Sequence, residues 1–450
     1  MNTPSNSKSA TALLLAALTA ASPAAELPAG SSLSIEPGVS GKHLALEDPG
    51  NHCWKIKASA DLVNWTTLVN CKVHNGSMQI PFDGSAPLRF FRADYDPAQQ
   101  SVLSTSATAL ELPGSPFNYA NPVLPASFLV QPVAGQDNTP ADNRVSNAGA
   151  ALGRVLFYDK RLSLNQTVSC SSCHQQASGF SDPAKFSRGF NGGLTGRNSM
   201  GLSNARWYQR RRFFWDERAA TLEAQVLQPI QNSVEMGMTL PALETRLAAE
   251  PFYQDLFANA FGSSAVTADR ISRALAQFVR SIISVNAKYD QGATVNFTNL
   301  TAEENLGRQL FLSPRTACAA CHGTDNFVPG PAINNNGLEN PYLDKGVGEV
   351  SGRPQDEGLF KVPSLRNIEL TAPYMHDGRF ATLEQVIEHY NSGVVNHPNL
   401  SPPLCTPQGQ PRRLNLTASE KAALVAFLKT LTDPGLATDP RLSDPFNYGP

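Results

Sequence analysis

Five residues recur in a fixed order: Cys170-Ser171-Ser172-Cys173-His174 and Cys318-Ala319-Ala320-Cys321-His322. In each run the two thiols are spaced to form thioethers with the two vinyl groups of one haem. The His that follows is placed to bind the iron from its proximal side. A zinc site would need two further ligands nearby, and a redox dithiol has no use for the His. The spacing therefore predicts two covalently bound haem c groups. Of the seven cysteines three remain. Cys53 and Cys71 lie in one N-terminal stretch and are candidates for a disulfide. Cys405 reads as a buried thiol.

The elements that must hold these motifs also repeat. Leu152-Gly153-Arg154-Val155-Leu156-Phe157 precedes the first and Leu306-Gly307-Arg308-Gln309-Leu310-Phe311 the second. Thr301 and Glu304 fit a capping box that opens the later helix. Over 267–284, Ile271, Leu275, Phe278, Val279 and Ile282 fall on one helical face. Thr417 and Glu420 start a last helix, with Pro434 just beyond its end, packed near the second haem. The fold class expected is mainly α: two cytochrome-c-like haem domains from an internal duplication, preceded by a small all-β module.

The N-terminus reads as an export signal: Lys8, an apolar run from Ala10 to Ala21, then Ser22-Pro23-Ala24-Ala25 as a small-residue cleavage site. The run is too short to span a bilayer, and no longer apolar run follows it. The protein is thus expected in the periplasm or at the cell surface. Cys53–Lys57, Thr66–His74, Gln79–Phe82 and Leu88–Ala93 read as strands, with Asn75-Gly76 as a hairpin turn between two of them. Trp54 and Trp65 are expected in the core of this module. The divisions are 1–25 signal peptide, 26–97 β-module, 98–130 Ser/Pro/Ala-rich linker or arm, 131–295 first haem domain and 296–450 second haem domain. The 450 residues carry a formal charge of −2, which excludes nucleic-acid binding through a basic surface.

From about residue 135 to 433 the chain resembles the bacterial di-haem cytochrome c peroxidase/MauG family. Besides Leu-Gly-Arg before each haem motif, the resemblance is carried by Phe214-Trp215-Asp216-Glu217-Arg218, Pro229-Ile230-Gln231-Asn232 and Glu235-Met236-Gly237. Val362-Pro363-Ser364-Leu365-Arg366-Asn367 and Tyr374-Met375-His376-Asp377-Gly378 complete it. It implies a distal Glu at Glu235, a distal Gln at Gln225, a pocket residue at Pro229 and, between the haems, Trp215. Splitting peroxide needs an open iron position and a group that moves a proton between its two oxygens, and a carboxylate above the haem can do this. Many relatives carry a distal His that closes the first haem. The eight histidines here are His43, His52, His74, His174, His322, His376, His389 and His397, with none between His174 and His322. The first haem is therefore expected open or water-bound, with Met200 as an alternative cap.

At the second haem the family's sixth-ligand position holds Tyr390, as in MauG, where peroxidases commonly have Met. Thr382 and Gln385 fit a capping box for this helix. Leu383, Val386, Ile387 and Tyr390 then share an inward face, with His389 on the polar side beside Gln385 and Glu388. Tyr390 is the preferred ligand, with His389 and Met375 as alternatives. Anionic Tyr would stabilise Fe(III) and lower the potential. His376 and Asp377 read as structural. The resemblance also implies a calcium ion between the haems, held by the Asn198 side chain and the Thr371 and Pro373 carbonyls; such oxygens suit a hard cation.

Three functions compete. The first is reduction of hydrogen peroxide at the haem of His174, with electrons from a small cytochrome or cupredoxin through the second haem. The second is MauG-like oxidation of a partner protein's side chain. The third is a di-haem electron carrier, with the β-module as a candidate for docking or surface attachment. A haem oxygenase of the rubber-cleaving type stands further off, because the Gln/Glu pair is not expected there. The reading adopted is the exported peroxidase, MauG-like in its haem ligation.

Overall fold

The computed structural model describes residues 15–20, 29–38, 41–48, 53–72, 77–81, 90–95, 109–328 and 333–447. They fall into two units, Met1–Glu111 with Phe446–Pro450, and Leu112–Pro445.

The first unit is built of short strands. Strands β1 (Leu15–Ala20), β7 (Phe90–Tyr95), β4 (Cys53–Ser59) and β5 (Thr66–Lys72) form one sheet in the order β1-β7-β4-β5. Strands β2 (Ser32–Gly38), β3 (Gly41–Glu47) and β6 (Ser77–Pro81) form the other, in the order β2-β3-β6. Alternation puts Trp54, Ile56 and Ala58 on one side of β4. They join Phe91 and Ala93 of β7 and Leu44 and Leu46 of β3 in one buried cluster. Trp54 is fully enclosed, and its Nε1 donates to Asp48 Oδ2 at 2.9 Å. Trp65 is not core: it is half-buried, with the Arg92 guanidinium 4.5 Å above its ring. The strands on either side of the turn expected at Asn75-Gly76 are not paired with each other, because β5 pairs with β4 and β6 with β3, in different sheets. Residues 73–76 themselves, and the side chains of Cys53 and Cys71, lie outside the described residues. Within the apolar run read as an export signal, β1 pairs in parallel with β7.

The second unit is mainly helical. Helix α1 (Asn147–Tyr158) lies before the first Cys motif and packs on α4 (Ala268–Arg280). Helix α5 (Ala302–Leu312) lies before the second and packs on α8 (Ala418–Lys429). The two pairs meet in the same way. A Cβ on Gly153 would lie 2.0 Å from the Ala274 carbonyl oxygen, and one on Gly307 would lie 1.9 Å from that of Ala423. One turn further on, Phe157 meets Phe278 and Phe311 meets Phe427, each at 5.2 Å between ring centres. Only glycine lets the backbones approach so closely. Ile271, Leu275, Phe278 and Val279 are buried on α4 as the periodicity predicts, while buried Ile282 follows the helix end. Both capping boxes form: Thr301 with Glu304, and Thr417 with Glu420. Of the linker, Phe117 and Tyr119 lie against Ala150 and Ala151 of α1, so this stretch is an arm on the helical unit.

Candidate haem sites

The first motif forms a single helical turn, α2 (Cys170–Cys173), with Ser169 and Ser172 in a reciprocal capping box. His174 follows. Its Nδ1 lies 2.9 Å from the Phe180 carbonyl oxygen, on a turn in which Gly179 and Phe180 take φ of 63° and 60°. Occupying Nδ1 in this way fixes the ring and presents Nε2. Burial pushes His174 towards its neutral, ligating form. Burial also pushes the Cys170 thiol up to about 12 and that of Cys173 to about 11. The Glu235 carboxyl adds to both, so its charge is felt at the two thiols.

Glu235 is held by its loop. Asn232 Oδ1 accepts from the Val234 and Glu235 amides at 2.8 and 3.2 Å. The Glu235 carbonyl accepts from Phe190 N at 2.9 Å, and that of Met236 from Leu164 N at 2.8 Å. Gly189 must be glycine, since a Cβ there would meet the Val234 oxygen at 1.6 Å. The half-buried carboxyl accepts no hydrogen bond among the described residues. Burial raises its pKa, and the Arg218 guanidinium partly opposes this. Just upstream, α3 (Leu222–Gln231) buries Leu222, Val226 and Ile230. Gln225 and Pro229, four apart, share another face and are half-buried. Glu223 ties this helix to α4 through Arg280 at 2.6 Å, with only 2% of the Arg280 side chain exposed. The Met200 side chain, the alternative cap, has its Sδ 3.3 Å from Lys361 Nζ.

The second motif is α6 (Cys318–His322). His322 Nδ1 lies 3.2 Å from the Phe327 carbonyl oxygen, and burial lowers its pKa to about 4. A cavity opens here with Cys318, Cys321, His322 and Tyr390 in its wall. Leu424 and Leu428 of the last helix also line it. Helix α7 (Leu383–Glu388) starts at the Thr382–Gln385 capping box and passes into a π-helical turn, His389–Gly393. Leu383, Val386, Ile387 and Tyr390 all face the cavity. His389 is not on the polar side. The wider π turn carries it inward, where it is buried with Nε2 2.9 Å from the Asn336 carbonyl oxygen. Burial raises the Tyr390 pKa and a hydrogen bond with the Asn336 side chain opposes it. Asn336 Nδ2 also lies 3.3 Å from Met375 Sδ, and Met375 lines the cavity too.

Trp215 stands in the same wall. Its Nε1 donates to the Asn198 carbonyl at 2.9 Å, and its own carbonyl accepts from Lys361 N at 2.8 Å. Its ring lies 6.4 Å from that of His376, which stacks on Phe360 at 4.0 Å. Asp377 pairs with Arg379 at 2.8 Å. Arg197 bridges Asp216 and Asp344 at 2.5 and 2.6 Å. Asn198, Thr371 and Pro373 line this cavity as well. Asn198 Nδ2 donates to the Ala184 and Lys185 carbonyls at 3.1 and 3.3 Å, which turns Oδ1 away from them. Among the described residues no cluster of three His, Cys, Asp or Glu side chains stands ready for a metal; this trio offers amide and carbonyl oxygens instead. Cys405, half-buried, lies apart with Sγ 3.6 Å from the Ser401 carbonyl oxygen.

Comparisons with known proteins identify the family. The sequence profile of the family described as di-haem cytochrome c peroxidase matches residues 147–296. The methylamine utilization protein MauG of Methylorubrum extorquens is 36% identical over 308 residues, covering 67% of this chain and 84% of that protein. The chain belongs to the di-haem cytochrome c peroxidase/MauG family. The cytochrome c551 peroxidase of Nitrosomonas europaea is 35% identical over 342 residues, covering 74% of this chain and 91% of that one. Among solved structures, a MauG-like protein associated with microbial copper homeostasis superposes with a TM-score of 0.61 at 37% identity, over 68% of this chain and 95% of that one. As a family member the chain is an oxidoreductase with haem c cofactors. Its residues fit that cofactor: in each motif two thiols one helical turn apart, not joined to one another, beside an imidazole with Nδ1 occupied. No helix among the described residues is long and apolar enough to cross a membrane.

Sequence reasoning missed Asn336 and Lys361. Lys361 directly precedes the Val362-Pro363-Ser364 motif but breaks no periodicity, and Asn336 lies in a stretch of consecutive asparagines. Only the fold brings them to the cavity wall.

Proposed function

We propose that this chain is an exported di-haem c-type peroxidase that reduces hydrogen peroxide to two waters at the haem of His174. The two electrons arrive from a small cytochrome or cupredoxin through the second haem, and two protons are taken up. The observation that carries the reading is Glu235: a half-buried carboxyl with a raised pKa, whose charge is felt at Cys170 and Cys173, in a segment without a distal His. The bound haem supplies a redox-active iron with a position for peroxide. Cys170 and Cys173 would anchor the first haem, and Cys318 and Cys321 the second. Glu235 accepts the proton of one peroxide oxygen and delivers it to the other. Gln225 orients the peroxide by hydrogen bonding, and Pro229 narrows the pocket beside it. Trp215 stands between the two sites. His174, His322 and Tyr390 are the proposed iron ligands, and Asn198, Thr371 and Pro373 the proposed calcium ligands.

The repeated glycine contact and Phe pair support two haem domains, 131–295 and 296–450, from an internal duplication. Residues 1–25 are the proposed export signal, and 26–97 the β-module. Tyr390 favours a second reading, MauG-like oxidation of a partner protein, because an anionic ligand stabilises Fe(III).

Glu235→Gln should cut peroxide turnover by about 10²-fold or more with both haems still bound. An unaffected rate would sink the assignment. Low-temperature EPR of the ferric protein separates the two readings. A high-spin and a low-spin signal that both change at once with stoichiometric peroxide favour the MauG-like one. Two low-spin signals that respond only after one electron is added favour a reductively activated peroxidase.

A further inference from the structure

Besides His322, three basic side chains among the described residues line the cavity around Cys318 and Cys321: Arg366, His376 and Lys361. Arg366 is committed to Asp290, with bonds of 2.6 and 2.8 Å. His376 is stacked on Phe360, and burial pushes it towards its neutral form. Lys361 is different. It is 9% exposed, and among the described residues no carboxylate reaches its ammonium. Nζ lies 3.3 Å from Met200 Sδ and 4.1 Å from the centre of the Tyr208 ring. Glu217, whose charge is felt at Lys361, is occupied by Arg210 at 2.7 and 2.8 Å and by the Tyr208 hydroxyl. A buried ammonium without a counter-ion is costly, and burial lowers Lys361 to about 8. The main chain fixes it there through its amide on Trp215.

We propose that Lys361 is the counter-cation for a propionate of the haem held in this cavity. The inference rests on the reading that Cys318 and Cys321 bind a haem. Thioethers there hold the vinyl edge of the ring, so its two carboxylates lie at the opposite edge, away from the cysteines. Buried carboxylates need paired charge as much as a buried ammonium does, and Lys361 is the cavity's cation left to supply it. Arg366 and His376 are already engaged within the protein. Lys361 is therefore a positioning residue for the second haem, and its charge favours the reduced state.

The test uses the holoenzyme and its Lys361→Met, Lys361→Gln and Lys361→Arg variants. Pyridine haemochrome assay counts haems per chain, and optical redox titration then gives each midpoint. Two haems in the parent protein establish the underlying reading separately; fewer would overturn that reading itself. With two haems bound, Lys361→Met and Lys361→Gln should lower the reduction equilibrium of the second haem about tenfold, which is 59 mV for one electron. Lys361→Arg should restore it. If the neutral variants lose the second haem and Lys361→Arg keeps it, the pairing is equally supported. The proposal is overturned by unchanged potentials with both haems bound. It is also overturned by a shift confined to the first haem, or by loss of the second haem from the Arg variant too.

Discussion

A carboxylate acts as a proton acceptor only when it is ionised, so the environment of Glu235 sets the pH at which it can work. Burial raises its pKa and Arg218 lowers it. The rate of reaction with peroxide should therefore fall on acidification at a higher pH than an ordinary Glu would give. Arg218→Ala removes the opposing charge and should move this acid limb further up, whereas Arg218→Lys should hold it near its place. Stopped-flow rates across pH would show the order; an acid limb that moves down in Arg218→Ala excludes Glu235 as the titrating base. At the second site, Tyr390→Met exchanges the proposed anionic ligand for a neutral one. The midpoint of that haem should rise by on the order of 0.1 V, within the roughly 0.8 V that axial ligands span. An unmoved midpoint in redox titration would remove Tyr390 from the iron. The resemblance implied both positions, because each stands at a fixed distance from a family motif. Asn336 was not, because its role depends on a loop folding over Tyr390 and Met375.

Among the elements, single helices were read most fully, and their pairing came only with the fold. The Leu-Gly-Arg repeat contains the two glycines at which α1 meets α4 and α5 meets α8. Gly307→Ala would press a methyl group into the Ala423 carbonyl. It should cost about 2–3 kcal/mol and lower the melting temperature by roughly 5–10 °C. Gly196, with open space around it, serves as control, and its Ala variant should melt with the parent. Equal melting of the two variants in calorimetry would mean that the close approach is not needed. Where reading failed, pairing was the reason. Asn75-Gly76 has the composition of a tight turn, but the strands on either side find partners in different sheets. A local signal does not carry that choice. His389 was misplaced because periodicity assumes 3.6 residues per turn, and the π-helical turn His389–Gly393 widens it. That extra width takes His389 to Asn336 and still leaves Tyr390 facing the cavity.

At the scale of the whole molecule, the chain joins a helical unit that carries both haem motifs to a β unit that carries neither. The relatives cover about two thirds to three quarters of this chain, and the β-module stands outside the resemblance. A separate unit of this kind is expected to fold by itself and to leave the chemistry of its neighbour intact. If export removes residues 1–25, β1 goes with them and β7 becomes the border of its sheet, a backbone edge able to add a strand from a partner. Docking and catalysis are then expected to belong to different units. Deleting residues 26–97 behind the intact signal should leave two haems per chain and keep peroxide turnover with a small artificial reductant within about twofold of the parent. With a cytochrome or cupredoxin as donor, kcat/KM should fall while kcat at saturation holds. Equal kcat/KM for parent and deletion with every protein donor would show that the β-module takes no part in docking the donor. Loss of haem from the deleted chain would instead make the module part of the catalytic fold.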